Sequence, residues 1–390
     1  MSDKIIGSFT ALAYLMLVAI GAAMSVAGVI TKSVALDFGV DNSVIGYCFS
    51  FFSVGYAAAV LGNGLILTKI NVRTEIVVAS ILGIIAAVGA AIMNSVVLFA
   101  FFVFLFGLGN GVFCSLGYSL IVKLYTCEAE RSAKLNILNF FFSVGAIVTP
   151  FLAGVALERG ITWQGVLFGT LAPVFAVIFM ALSQKNNVAL GDKPSARETT
   201  ERWGIKVYLV GVAMLCYVVS EMSFTYWVVP YMMEKLTLDV ALGSLFLSVF
   251  WIFMAIGRFF TGVFIAKVNT INYLLYGSGA AFLLFIGMLG AGDFYGSFLL
   301  VAGLGLAFSG LYATLVAYGT EMFIRPSSKL TTFFLTIGSA AGILAFVVSS
   351  YSKQMLGLSA TMFLAAILMG AVFSLMFIVG KVIDTKVSNS

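Results

Sequence analysis

The sequence predicts an all-α membrane protein with about twelve transmembrane helices in two pseudo-symmetric six-helix bundles. Three observations carry that expectation. The first is composition: of 390 residues, 62% are hydrophobic and only 9% are charged. A soluble domain of this length carries roughly 25% charged residues, so a surface this poor in charge has to face lipid. The second is a nearly unbroken series of apolar runs, each close to the roughly 20 residues a helix needs to cross a bilayer. The third is an internal duplication at half the length of the chain.

The runs fall at about 6–30, 43–67, 74–95, 97–122, 134–157, 162–183, 206–232, 241–265, 271–291, 296–319, 330–351 and 358–381, with ends uncertain by a few residues. Most connections are a handful of residues, so successive helices run antiparallel. The 40 glycines suit this arrangement, because small residues let membrane helices approach closely. The first run ends near a small-residue site, Ser25-Val26-Ala27. Its apolar stretch is too long for a cleaved leader and only Lys4 precedes it, so it reads as a retained first helix.

The longest polar stretch, Gln184 to Lys206, divides the chain into an N-terminal bundle at 1–183, a linker at 184–205 and a C-terminal bundle at 206–390. With both termini and this linker in the cytoplasm, the outside loops hold only Lys32, Arg159, Lys235 and Lys353. Arg258 lies within a helix, and the rest of the 21 basic residues fall inside. That bias fixes the orientation. The same scatter over short loops argues against nucleic-acid binding despite the net charge of +5.

The duplication shows in three pairs. Gly64, Lys69 and Asn71 after the second run match Gly262, Lys267 and Asn269 after the eighth. Gly107-Leu108-Gly109 matches Gly303-Leu304-Gly305. Ser132 to Leu135 matches Ser327 to Leu330. The offsets are all about 195–198 positions, which a doubled six-helix unit produces.

The stretch from Gly64 to Arg73 resembles a degraded copy of the major facilitator loop motif, with Thr68 at its acid position and Asn71 at its second glycine. Lys134-Leu135-Asn136, followed by Phe142 to Ile147, is similar to the fifth-helix pattern of the fucose–proton symporter branch. Within that branch the chain is most similar to the TsgA-type family of bacterial inner-membrane proteins, through Arg202-Trp203-Gly204-Ile205, Leu215-Cys216-Tyr217, Trp227-Val228, Tyr231, Pro326 to Leu330 and Phe346-Val347-Val348. The resemblance implies a secondary transporter in the inner membrane, working by alternating access around a cavity lined by the first, fourth, seventh and tenth helices. It also implies gating roles for Gly64, Lys69 and Arg73, which the repeat extends to Gly262 and Lys267; Arg258, one turn before Gly262, is a further gating candidate by its position. Thr68 puts one part of that latch in question, because the family's loop acid is missing. Sugar symporters of this branch carry acids on the first and fourth helices; here those regions read Ala23-Met24-Ser25 and Asn110-Gly111-Val112.

Glu221 is the one acid deep within a predicted helix, with Tyr217 and Thr225 one turn away on the same face. A charge at that depth costs about 2.5–3.5 kcal/mol even on the lenient insertion scale. The carboxyl therefore couples protons or binds substrate, or else it is hydrogen-bonded to a neighbouring helix as a structural group. Arg258 reads either as snorkelling near the eighth helix end or as a gating or anion partner. Asn136, Asn139 and Ser143 form one polar stripe, and Thr332, Thr336 and Ser339 another. Both suit a wet cavity or interhelical bonds, and Asn110 is similar. Tyr226, Trp227 and Trp251 read as packing or aromatic-belt residues and Trp203 as an interfacial anchor. Tyr118 and Tyr312 are weaker cavity candidates. Pro150, with Gly145 and Gly154, marks a bend and partly matches an exporter pattern.

Other classes are disfavoured. There is no GxxxxGK[ST] loop for ATP, and no His for a catalytic triad or a neutral-pH proton carrier. Cys48, Cys114, Cys127 and Cys216 have neither disulfide nor metal spacing. No enzyme activity, cofactor, metal or nucleic-acid partner is expected. The expected partners are a small polar solute, protons if Glu221 couples them, and the lipid bilayer, with the monomer as the working unit. Two alternatives stay open: an exporter of drugs or toxic ions, and a membrane sensor that does not transport.

Overall fold

The computed structural model describes residues 3–66, 71–184, 204–264, 269–321 and 328–387, and every regular element among them is an α-helix. In chain order these are α1 (Asp3–Phe38), α2 (Asn42–Ile66), α3 (Val72–Ile92), α4 (Val96–Leu124), α5 (Glu128–Glu158), α6 (Trp163–Gly169) and α7 (Ala172–Ser183), followed by α8 (Ile205–Leu236), α9 (Val240–Phe264), α10 (Thr270–Gly290), α11 (Phe294–Phe308), α12 (Leu311–Glu321) and α13 (Ser328–Val387). Among the described residues, 11 stretches are long and apolar enough to cross a membrane. The last, Thr336–Gly380, has 45 residues, roughly 68 Å of helix at 1.5 Å per residue and more than twice the bilayer core. It turns at Gly357, whose φ of 86° and ψ of 178° lie outside the helical region. A glycine adopts that conformation without steric cost. So α13 holds two crossings, and the spans total about twelve as the apolar runs predict. The sixth span is α6 plus α7; the tenth is α11 plus α12.

The helices form two compact units, Met1–Pro194 with Asp239–Ser248, and Ser195–Leu238 with Val249–Ser390. In the first, α1 packs on α5 and α4, while α4 also packs on α2 and α3. In the second, α8 and α10 both pack on α13.

The duplication is written into the turns and the packing. α1 ends where Gly39 adopts φ 65°. The Val40 N–H donates to the Ala35 carbonyl at 3.0 Å and the Gly39 N–H to the Leu36 carbonyl at 3.2 Å, a left-handed helix stop that satisfies two orphan carbonyls. Two residues on, the Asp41 carboxylate accepts from the Ser43 N–H at 2.8 Å and caps α2. About 198 positions later the device recurs. Thr237 takes φ 52°, the Leu238 N–H donates to the Met233 carbonyl at 3.1 Å, and Asp239 accepts from the Leu242 N–H at 2.7 Å to cap α9. Close helix contacts repeat as well. A Cβ on Gly107 would overlap the Phe52 carbonyl, and one on Gly305 would overlap the Phe250 carbonyl, so the structure pairs Gly107 with Gly305 and not with the Gly303 that the sequence match gives.

The ends of two helices need correction. The first helix reaches Phe38 and the seventh span Leu236, beyond the 30 and 232 that hydropathy suggests. A helix continues past the lipid boundary until a backbone stop ends it, and both stops here are the left-handed turns. Trp227, read as packing or belt, is fully buried; its indole N–H donates to the Ser349 hydroxyl at 2.9 Å, and the Tyr226 ring packs edge-on against it at 4.7 Å. Trp203 lies outside the described residues.

Candidate functional site

The second unit gathers its buried polar chemistry where α8 meets a break in the tenth span. α8 is buried along most of its length, and Glu221 sits near its middle with 6% of its surface exposed. Tyr217, one turn earlier, is wholly buried. Its hydroxyl donates to the Phe308 carbonyl at 3.2 Å and lies close to the Glu221 carboxyl. The Arg258 guanidinium on α9 is the opposite charge acting on Glu221, and its Nε donates to the Ser309 carbonyl at a long 3.4 Å. The Tyr217 ring lies 5.5 Å from Phe308 and 6.3 Å from Tyr312.

The break itself follows from sequence. Ser309 folds back on α11, its N–H and hydroxyl both meeting the Leu306 carbonyl, at 3.3 and 2.7 Å. Gly310 follows, and the Thr314 N–H to Gly310 carbonyl bond at 3.0 Å starts α12. The last carbonyls of α11 therefore lack helical partners. In hydrocarbon such groups must find partners within the protein, and Tyr217 and Arg258 serve two of them. Ser309 also sits against Gly257, where a Cβ would overlap its hydroxyl.

This constellation has one chemical property that its members lack singly. A tyrosine hydroxyl has one proton to donate. If Glu221 is ionised, that proton has a carboxylate to serve, and the Phe308 carbonyl is left unsatisfied. If Glu221 is protonated, the carboxyl becomes the donor, and Tyr217 is free to hold the carbonyl.

Of the other residues singled out from sequence, Thr225 shares the Glu221 face but turns its hydroxyl back onto its own helix, to the Glu221 and Met222 carbonyls at 2.9 and 3.2 Å. Asn110, in the first unit, is buried and donates to the Phe106 carbonyl at 2.9 Å. The Asn139 amide donates to the Leu135 carbonyl at 3.0 Å, and its oxygen accepts from Tyr118 at 2.6 Å. Asn110, Tyr118 and Asn139 thus belong to a different unit from Glu221. Arg73 donates to the Leu182 carbonyl at 3.0 Å, closing the last turn of α7 as a basic group does at a helix C-terminus. Lys69 and Lys267 lie outside the described residues, as do the side chain of Asn136 and the surroundings of Gly64 and Gly262.

Two features escaped the sequence reading. One is the Ser309–Gly310 break, whose only sign was a small polar residue and a glycine inside an apolar run. The other is Glu75. It lies near the start of the third run, where water contact is the default, yet only 5% of it is exposed, and Asn63 opposite is 1% exposed. The positive end of α3 would favour an ionised Glu75 by about 0.3–1 kcal/mol. Its burial removes the water that a carboxylate at a helix start otherwise keeps.

A separate cavity of about 490 Å³ in the second unit is lined by Tyr231, Glu234, Lys235, Leu289, Ser359, Ala360 and Phe363. It lies roughly 20 Å along α8 from Glu221. There the Lys235 ammonium donates to the Met288 and Leu289 carbonyls, at 2.5 and 3.0 Å, closing α10. Among the described residues, no group of three His, Cys, Asp or Glu side chains is placed to hold a metal.

Twelve spans in two repeated units, with polar groups buried at a broken helix, define a multi-pass membrane transporter of the secondary class. The sequence profile of the Major Facilitator Superfamily matches residues 12–345, and the chain belongs to that family. Protein TsgA of Escherichia coli O6:K15:H31 is 27% identical over 366 residues, which is 93% of this chain and 92% of that one. A bacterial homologue of the human lysosomal transporter Spinster, solved in an inward-facing, unoccupied conformation, shares the fold with a TM-score of 0.81 at 12% identity, covering 98% of both chains. A D-xylose–proton symporter does so with a TM-score of 0.74 at 15% identity, over 95% of this chain and 97% of that one.

Proposed function

We propose that the protein carries a small polar solute across the bacterial inner membrane by alternating access, as a monomer with both termini in the cytoplasm. Residues 1–183 and 206–390 act as the two moving halves. Proton movement is coupled to solute movement at Glu221. The observation that carries this reading is the Glu221–Tyr217–Arg258 cluster at the break of the tenth span.

The coupling works through charge and one shared proton. With Glu221 ionised, carboxylate and guanidinium balance each other. When a proton arrives, the Arg258 charge is uncompensated, and a solute that offers an acceptor oxygen relieves it. In the same step Tyr217 returns its proton to the Phe308 carbonyl and holds α11 against α8. Solute and proton are then bound together. Loss of either restores the other balance, which is the condition for symport. The fold is shared with a D-xylose–proton symporter, which fits proton-driven uptake, although at that identity only the fold carries over.

A thermal-shift screen of sugars, organic acids and amino acids identifies the solute, because binding raises apparent stability by mass action. Accumulation of the best binder in proteoliposomes under a pH gradient then tests the coupling. The wild type concentrates it, and Glu221→Gln, which cannot titrate, does not. Unchanged accumulation by the variant removes the proposal.

A further inference from the structure

Glu75 and Asn63 present an imbalance that the packing around them does not resolve. Both Glu75 carboxyl oxygens, and both the oxygen and nitrogen of the Asn63 amide, are buried with no hydrogen-bond partner in satisfactory geometry. The two side chains nevertheless face each other, since the Asn63 amide is the polar group acting on the Glu75 carboxyl. Four buried polar atoms without partners are costly in any protein interior and more so within a bilayer.

Among the described residues, burial and the Asn63 amide are what act on the Glu75 carboxyl, and no opposite charge is paired with it. The helices packed on α3 are α4, α6 and α7. Neither α2, α6 nor α7 contains an Asp, Glu, Lys or Arg; α4 contains only Lys123, which is exposed in its last turn. On α3 itself, Arg73 is occupied by the Leu182 carbonyl. Of the other titratable groups on α4, Tyr118 donates to Asn139 and Cys114 is held by Tyr56. Lys69, beside the α2–α3 connection, lies outside the described residues.

The donor and acceptor inventory then chooses between two states of the carboxyl. An ionised carboxylate only accepts; it satisfies the amide N–H but leaves the amide oxygen bare and its own charge unbalanced. A carboxylic acid has one donor and one acceptor, and so does each edge of a carboxamide. In the acid form the Glu75 O–H would donate to the Asn63 oxygen and the Asn63 N–H to the Glu75 carbonyl oxygen, which would satisfy the amide oxygen, one amide proton and both carboxyl oxygens.

We infer that Glu75 and Asn63 form a proton-binding site in the N-terminal unit, at the end of α3 that adjoins the α2–α3 connection. A proton from water on that side converts the carboxylate to the acid, which closes on the amide. Release requires that water reach the pair, so the proton leaves only when the packing that buries Glu75 and Asn63 opens. The site lies in a different unit from Glu221 and does not rest on its role.

Infrared spectra of the purified full-length protein in lipid test this without any solute. At neutral pH the wild type shows the C=O stretch of a protonated carboxyl that Glu75→Gln removes and Glu221→Gln leaves in place. Glu75→Gln keeps a donor and an acceptor towards Asn63 and is expected to fold. Asn63→Leu takes away the partner and shifts the same band. Should Glu75→Gln fail to fold, the Asn63→Leu spectrum decides alone. A spectrum in which the carboxylic-acid region is the same in wild type and Glu75→Gln, or in wild type and Asn63→Leu, overturns the inference.

Discussion

At the scale of single residues, the Glu221–Arg258 cluster has an energetic signature that packing alone does not give. Glu221 is buried and Arg258 half-buried, and removing one of two opposite charges leaves the survivor unbalanced, whereas replacing both is close to neutral. Arg258→Gln is therefore predicted to lower the melting temperature of the purified protein strongly. Adding Glu221→Gln should recover most of the loss, with a coupling of about 1–3 kcal/mol in the double-mutant cycle. Equal and additive losses would mean that the two groups do not interact. The sequence pointed to Glu221 because an acid fifteen residues deep has no water to reach. It could not pair it with Arg258, since a contact between helices 37 residues apart depends on how α8 and α9 turn their faces. Glu75 stayed hidden for the opposite reason. Near a run's end, hydropathy reads an acid as wetted, and only the packing of Asn63 and α4 shows otherwise.

Single elements are governed by their stops and close approaches. Thr237 holds a left-handed φ of 52° where its counterpart in the first unit is Gly39. A side chain there costs about 1–2 kcal/mol, so Thr237→Gly should raise the melting temperature with transport unchanged. A lower melting temperature would mean that the threonine hydroxyl, which donates to the Leu236 carbonyl at 2.8 Å, outweighs the strain. Gly305 has the reverse constraint. Its Cβ would enter the Phe250 carbonyl, and Gly305→Ala should destabilise by about 1–3 kcal/mol, as overpacking does. An unaffected melting temperature would show that α9 and α11 can separate freely. Element existence was legible throughout, because lipid demands an apolar run of fixed length. Helix ends were not, since the left-handed stops lie beyond the apolar runs. The tenth span read as one helix because Ser309 and Gly310 barely lower its hydropathy.

For the whole molecule, the duplication and its exceptions carry the account. The stops, the caps and the glycine contacts recur at about 198 positions, but the chemistry does not. The residue equivalent to Glu221 is Ala23, the one equivalent to Arg258 is Val60, and Asn110 stands opposite Phe308. A repeated scaffold in which Glu221 and Arg258 have no charged counterpart in the other copy is what a fixed architecture with a specialised half looks like. The fold was legible because it follows from solvent and repetition. The site was legible only in part, because it depends on which copy kept which polar side chain. The most direct test of coupling at Glu221 is proton flux in proteoliposomes, read with a pH dye on addition of the solute found by thermal shift. Wild-type protein should draw protons inward with the solute, and Glu221→Gln should bind the solute yet move no protons. Solute-driven proton entry at the wild-type rate in the variant would contradict the account.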